Sequence, residues 1–92
     1  MVNYNSAVSV LVKAGFGITN KCRYEGETYH DFNSRRNDAS VSLIIDDSTG
    51  AISRIEVTTR KRENNRYVPV KETLYGLQQL IDKFKPVKVI SF

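Results

Sequence analysis

The feature that most constrains the fold is a pair of alternating segments separated by a short polar turn. One segment covers residues 41–46 and the other residues 54–60, and residues 47–50 between them read Asp-Ser-Thr-Gly. The positions that alternate with their neighbours are Val41, Leu43, Ile45, Ile55, Val57 and Thr59. A period of two is typical of strands with one buried face, and turn residues between two such strands indicate an antiparallel hairpin. We therefore predict a β-hairpin here.

A second hairpin is predicted upstream, over residues 18–32. The alternation places Ile18, Asn20, Cys22 and Tyr24 on one face of its first strand, and Glu-Gly-Glu at residues 25–27 forms its turn. The polar residues 33–38 lack periodicity and predict a loop. Residues 60–66 are interpreted as a connection leading out of the central hairpin, and residues 67–70 as a short strand.

Helices are predicted at both ends of this strand-rich region. Residues 5–16 have apolar positions at helical spacing, with Asn5 or Ser6 as the cap and Gly15 at the end. The valines of this segment leave a strand as the alternative. The second helix begins at Lys71 or Glu72 and stops at Pro86. Its apolar stripe comprises Leu74, Leu77, Ile81 and Phe84, with Leu80 beside it. Residues 87–92 alternate again and could close the sheet or pair with a second copy.

These elements predict a small α+β fold, with an antiparallel sheet of three to five strands packed by two helices. Its 92 residues suit one domain, spanning residues 1–92. No apolar run approaches the roughly 20 residues of a membrane span, and the first residues show no secretory signal. A single cysteine, Cys22, forms no internal disulfide and is expected to be buried as a small hydrophobe. We expect a cytoplasmic protein, and a monomer rather than a dimer.

No catalytic or metal-binding motif emerges from the sequence. His30 is the one histidine, and on a strand its neighbour Asp31 faces the other side. Asp46, Asp47 and Glu56 could form a magnesium cluster, but no lysine follows Glu56 closely and turn chemistry explains the paired aspartates. The Gly-x-Gly at residues 15–17 follows a helix rather than a strand, unlike a dinucleotide fingerprint. We predict no enzymatic activity, no cofactor and no metal.

The basic residues supply the predicted binding surface. The chain has 14 Lys and Arg against 10 Asp and Glu, a formal charge of +4 that favours anionic partners. Arginine beside tyrosine is typical of interface hot spots and of nucleic-acid contacts. The candidate partner-binding residues are Arg60, Lys61, Arg62, Arg66, Tyr67, Arg35, Arg36, Lys21, Arg23, Tyr24 and Tyr29. The alternative is a solvated, charged strand face that prevents aggregation.

Two segments carry a resemblance to a known class of protein. Residues 3–16 read Asn-Tyr-Asn-Ser-Ala-Val-Ser-Val-Leu-Val-Lys-Ala-Gly-Phe, and residues 43–50 read Leu-Ile-Ile-Asp-Asp-Ser-Thr-Gly. Both resemble small phage-encoded anti-CRISPR proteins, among them inhibitors of the type I-F surveillance complex, and the similarity runs along the chain. Many proteins of this loose class are acidic DNA mimics, and the charge of +4 departs from that pattern.

The resemblance implies a stoichiometric inhibitor in the bacterial host cytoplasm that docks on the CRISPR RNA-guided complex and blocks target DNA binding. Its partners would be Cas backbone subunits, with the guide RNA as a further candidate. The class has no shared binding motif, so no residue role is transferred. The alternative is a small basic RNA-binding module, since helix, three strands and helix is the order of the double-stranded RNA-binding domain. Lys71 alone supplies a cation at the start of the predicted second helix, where that domain needs several.

Overall fold

A computed structural model describes residues 3–84 as one sheet with a helix at each end of the chain. The order of elements is α1 (Tyr4–Lys13), β1 (Gly17–Tyr24), β2 (Glu27–Ser34), β3 (Ala39–Asp46), β4 (Ile52–Glu63), β5 (Arg66–Leu74) and α2 (Leu77–Lys83). The five strands lie in the order β1-β2-β3-β4-β5, and each pairs antiparallel with the next. The predicted α+β fold class, including the two helices and the antiparallel sheet, is confirmed.

Both helices pack on one side of the sheet, here called the helix face. Leu11 of α1 and Leu80 of α2 are fully buried against the central strands. The alternating residues of the central hairpin point into this core as predicted, since Leu43 pairs with Ile55 and Val41 with Val57. The other side of the sheet, here called the open face, is largely polar. The fold therefore leaves one broad surface and both sheet edges available, among residues 3–84.

The first helix forms as predicted but begins earlier. Its N-cap is Asn3, whose Oδ1 accepts a 3.2 Å hydrogen bond from the Ser6 amide, rather than Asn5 or Ser6. Gly15 follows the C-cap with φ of 94°, the left-handed conformation that glycine adopts without a steric penalty. The burial of Ala7 and Leu11 decides for the helix over the strand alternative, because residues four apart lie on one helical face.

The second helix was predicted to begin too early. Residues 71–74 belong to β5, where Lys71 pairs with Thr58 and Leu74 with Ile55, and α2 begins only at Leu77. The long strand β4 offers hydrogen-bonding partners to these residues, and this ladder outweighs their helical spacing. The predicted stop at Pro86 and the strand at residues 87–92 lie outside the described residues.

The alternation predicted for β1 is interrupted by a β-bulge. Ile18 pairs with Phe32, but Asn20 pairs with Asp31, so a register shift falls between Ile18 and Asn20. Ile18 consequently shares a face with the core residue Phe32, while Asn20, Cys22 and Tyr24 lie on the open face. The expectation that Cys22 is buried is wrong, since it is exposed on this edge strand. Nothing in the described chain covers the open face of β1.

The segment predicted as a connection at residues 60–66 is instead the end of a hairpin. Thr59 pairs with Ala39, the first residue of β3, so the chain beyond it has only β5 as a partner. The turn is the pair Asn64 and Asn65, with φ of 47° and 63°. Two left-handed residues make the turn type that matches strand twist, and asparagine tolerates this conformation. The two-stranded projection of residues 60–69 is here called the arm.

Candidate functional site: a basic hairpin arm

The arm concentrates the positive charge of the protein. Its ten residues contain four cations, Arg60, Lys61, Arg62 and Arg66, and one carboxylate, Glu63. These give the arm a formal charge of +3, out of +4 for the whole chain, so all other residues together carry +1. Every residue of the arm is exposed. The arm therefore contributes nothing to the core, and its composition is free to serve binding.

Cations lie on both faces of the arm. Arg62 pairs with Tyr67 and Arg60 with Pro69, so these side chains share the open face. Lys61 pairs with Val68, and Glu63 pairs with Arg66, on the opposite face. Tyr67 is 66% exposed beside Arg62. The sequence prediction that arginine and tyrosine lie together is thus confirmed for this pair.

The arm cations are only weakly engaged within the protein. Arg60 Nε lies 3.7 Å from Asp38 Oδ1, and Lys61 Nζ lies 3.7 Å from Glu63 Oε1. Arg62 donates to the side chain of Asn65 over 3.5 Å. Exposed pairs of this length contribute about 0–1 kcal/mol. These guanidinium and ammonium groups can therefore reorient towards an external anion at little cost.

Arg35 and Arg36 lie at the base of the arm, in the turn between β2 and β3. This turn is fixed to α1, since Asn37 Nδ2 donates a 2.7 Å hydrogen bond to the Ala14 carbonyl. The Arg60–Asp38 contact joins the turn to the arm. The structure thus brings together two basic segments that are separated by more than 20 residues in the sequence.

A polar groove of about 290 Å³ opens at the base of the arm, beside Arg60. It is lined by Asn33, Asp38, Ala39, Ser40, Thr58, Arg60 and Pro69. Sequence analysis missed this groove because its residues come from four strands. The groove places hydroxyl groups of Ser40 and Thr58 beside the Arg60 guanidinium, together with the Asp38 carboxylate that pairs with it.

Lys21 and Arg23 do not join the arm. They share the helix face of β1, but β1 and β5 are the opposite edges of the sheet. Arg23 Nε forms a 2.8 Å ion pair with Asp47, and this hydrogen bond raises the pKa of Arg23. Lys21 lies across from His30. These two cations form a separate surface near the β3–β4 loop.

Tyr24 and Tyr29 lie away from the predicted cations. Both are on the open face, on the other side of the sheet from Lys21 and Arg23. The Tyr29 hydroxyl instead accepts a 3.3 Å hydrogen bond from Arg54, which also pairs with Glu27 at 2.8 Å. Tyr24 and Tyr29 therefore share no face with Lys21 and Arg23, the cations of the same hairpin.

Arg54 is a feature that sequence reasoning overlooked. It pairs with Ile44 across the strands, and Ile44 is completely buried although it faces the polar side. The ion pair of Arg54 with Glu27 holds the guanidinium in this region. The alternation around Ile44 does not reveal that this side chain is buried, because its neighbours across the sheet depend on strand register.

The acidic residues and the histidine take structural positions. Ser48 donates hydrogen bonds to Asp46 from its hydroxyl and backbone amide, which lower the pKa of Asp46. The Tyr4 hydroxyl lies 2.7 Å from Nδ1 of the buried His30. Asp31 faces away from His30, as predicted, and accepts a 2.7 Å hydrogen bond from Ser42. Within residues 3–84, no group of three His, Cys, Asp or Glu side chains could hold a metal ion.

Comparison with known proteins identifies no relative: no protein family, curated protein or solved structure matches this chain. Within the described residues, neither helix has the length and apolar character needed to cross a bilayer. The arm and its base are therefore interpreted from their own chemistry.

Proposed function

We propose that this protein is a non-catalytic binding protein that holds an anionic macromolecule through its arm. The observation that carries the proposal is the formal charge of +3 on ten exposed residues that have no role in the core. Arginine forks pair bidentately with phosphates and carboxylates, and the adjacent Tyr67 adds contact area. The arm is held at its base by the sheet, so its cations are displayed on a defined scaffold.

The resemblance to anti-CRISPR proteins gives the proposal a setting. In that setting the protein acts as a monomer in the bacterial host cytoplasm, binds the type I-F surveillance complex stoichiometrically and blocks its binding to target DNA. An acidic face of a Cas backbone subunit or the guide RNA would offer the anionic surface for the arm. Support for the setting comes from residues 3–16 and 43–50, and support for the binding element comes from the arm itself.

Paired charge variants provide the test. Arg62→Gln combined with Arg66→Gln removes two charges from the arm, and Lys13→Gln combined with Lys83→Gln removes two exposed charges elsewhere. We expect the protein to co-elute with a purified type I-F complex and to suppress its DNA binding. The arm variant should weaken this capture at least tenfold, because groups at the contact lose their charge-assisted bonds, while the control should retain it.

The possible outcomes separate the two parts of the proposal. Equal capture by the arm variant and the control would exclude the arm as the binding element. Absence of co-elution with any CRISPR complex would exclude the inhibitor role but leave the arm open to other anionic partners. Melting curves of both double variants establish that the fold persists, which the exposure of all four residues leads us to expect.

An RNA-binding module remains the second candidate. Five strands lie between the two helices, whereas the double-stranded RNA-binding domain has three. The topology therefore departs from the order on which that alternative was based. The basic arm still favours a polyanion, so binding to RNA is retained as an outcome to be measured.

A further inference from the structure

We infer that the arm is a two-stranded ribbon shaped to enter the major groove of duplex DNA. This inference rests on the proposed function of the arm as an anion-binding element and commits to one class of partner. In the CRISPR setting, the duplex would be the target DNA, and the arm would hold that DNA in place of a Cas face or the guide RNA. The inference stands on the dimensions of the arm, the distribution of its charges over two faces and the chemistry of its tip.

The dimensions of the arm match the major groove. Four residue pairs, from Arg60–Pro69 to Glu63–Arg66, extend beyond β3, which gives a projection of about 13 Å at about 3.3 Å per residue. Sheets pack about 10 Å apart face to face, and this spacing gives a ribbon with its side chains a thickness of about 10 Å. The B-DNA major groove is about 12 Å wide and about 8.5 Å deep, and it accepts a two-stranded ribbon. The major groove of A-form RNA is too narrow, which favours DNA.

The charges are arranged for two phosphate walls. Arg60 and Arg62 lie on one face of the arm, and Lys61 and Arg66 lie on the other. When the tip of the ribbon enters a groove, each face is directed towards one backbone. A flat acidic protein surface would meet the cations of one face only and leave the other pair in water. The distribution therefore favours a partner that surrounds the arm.

The tip carries groups that can read bases. Asn64 and Asn65 form the turn and are the residues of the arm furthest from the sheet. An asparagine amide can donate to and accept from the major-groove edge of adenine. The hydrogen bond that Arg62 donates to the Asn65 side chain is long, at 3.5 Å, and is easily exchanged.

The base of the arm is suited to contact phosphates at the rim of the groove. Arg35 and Arg36 lie in the turn that Asp38 joins to Arg60. The polar groove beside Arg60 presents Ser40 and Thr58 hydroxyl groups in the same place. When the tip touches the base edges, a groove about 8.5 Å deep encloses most of the arm, and the end of the arm nearest the sheet lies at the rim. Arg60 therefore meets the phosphates that flank the site of insertion.

The test compares nucleic acids of one sequence by fluorescence anisotropy: duplex DNA, duplex RNA and single-stranded DNA. We expect binding to duplex DNA to be at least tenfold tighter than to duplex RNA or to single-stranded DNA. The logarithm of affinity should fall with the logarithm of salt with a slope of about −5, since the four arm cations with Arg35 and Arg36 make six phosphate contacts and each contributes about −0.9. Arg62→Gln with Arg66→Gln should reduce the slope by about 2, and Lys13→Gln with Lys83→Gln should leave it unchanged. A small ligand in the minor groove should not compete, whereas one in the major groove should.

Two results would overturn the inference while leaving the proposed function intact. One is arm-dependent binding that is equal or tighter with duplex RNA or single-stranded DNA. The other is arm-dependent capture of a CRISPR complex without any binding to free duplex DNA. If the arm variant bound every anionic partner as tightly as the wild type, both the inference and the proposed function would be overturned. Competition by a minor-groove ligand alone would also reject major-groove insertion.

Discussion

The Thr28 hydroxyl donates a 2.6 Å hydrogen bond to the Asp47 carboxylate, across from β2 to the β3–β4 loop. Arg23 contacts the same carboxylate, and the Asp47 amide donates to the Gly26 carbonyl over 3.0 Å. These bonds fasten the loop to the turn of the first hairpin. Asp47, which could suggest a metal cluster in the sequence, thus serves to hold two turns together.

We expect Asp47 to make stability depend on acidic pH. The hydrogen bond from Thr28 and then that from Arg23 lower the pKa of Asp47. The ionised form is therefore favoured in the folded protein, and its contribution is complete above the unfolded pKa of about 3.9 and disappears as pH falls through the lower folded pKa. Asp47→Asn should lower the melting temperature at neutral pH. Its melting temperature should then fall less on acidification than that of the wild type. Asp82→Asn is the control for removal of an exposed carboxylate; an identical acid profile for both variants would contradict the assignment.

His30 should titrate below its ordinary range. Burial lowers its pKa most and the charge of Lys21 lowers it further, while Asp31 acts in the opposite direction. Between the folded pKa and the unfolded value of about 6.5, the unfolded chain binds more protons, so stability should fall as pH decreases through that window. The imidazole NMR signals report this directly, because the chain has one histidine. Lys21→Gln should raise the pKa, and a wild-type pKa at or above 6.5 would refute the prediction.

Ile44 should behave as a core residue although it faces the polar side of the sheet. Its side chain is 0% exposed, opposite Arg54 and Tyr29. Ile44→Ala should lower the free energy of unfolding by about 2–4 kcal/mol, as for other buried isoleucines. Val12→Ala, at a residue that is 58% exposed, should change it by less than about 0.5 kcal/mol. Chemical denaturation measures both free energies of unfolding. Similar changes in the two variants would show that the Ile44 side chain is not buried.

The turn of the arm should require asparagine or glycine at residue 65. Asn65 has φ of 63°, which costs a β-branched residue about 1–2 kcal/mol. Asn65→Val should therefore loosen the arm and accelerate amide hydrogen exchange there about 5- to 30-fold. Exchange at Leu43, in the core, should not change. Asn65→Gly should leave the arm at least as protected, so faster exchange in both variants would point to a different cause.

Asp38 should lower the affinity of the arm for a polyanion. Its carboxylate lies 3.7 Å from Arg60, and its φ of 48° is compatible with asparagine. Asp38→Asn should strengthen binding to a polyanion by about 2- to 5-fold at low salt, which corresponds to the weak energy of an exposed pair. The gain should vanish at high salt, because the interaction is screened. Asp82→Asn, which makes the same charge change away from the arm, should give a smaller gain in the same anisotropy assay.

The parts of the fold that the sequence predicts well are those governed by local pattern. The alternation around Val41, Leu43 and Ile55 predicts the central hairpin, because a period of two buries one face of any strand. Gly15 predicts the end of α1, because its position requires a left-handed backbone. The basic composition near residue 60 identifies the charged segment.

The parts that the sequence predicts wrongly depend on pairing partners. Residues 71–74 have helical spacing but extend β5 because β4 lies beside them. The bulge between Ile18 and Asn20 reverses the faces of β1, and no single-strand pattern encodes it. Tyr29 contacts Arg54 rather than the predicted cations because strand order sets its neighbours.

The sequence by itself determined the α+β class, the central hairpin and the clustering of cations at residues 60–66, since each depends on residues that are close in the chain. The tertiary structure decided that those cations stand on a projecting ribbon, with Arg35 and Arg36 at its base and Lys21 and Arg23 at the far edge. The physical reason is that β4 continues beyond the end of β3. Strand lengths and register, which arise from contacts between distant residues, determine where each charge is displayed.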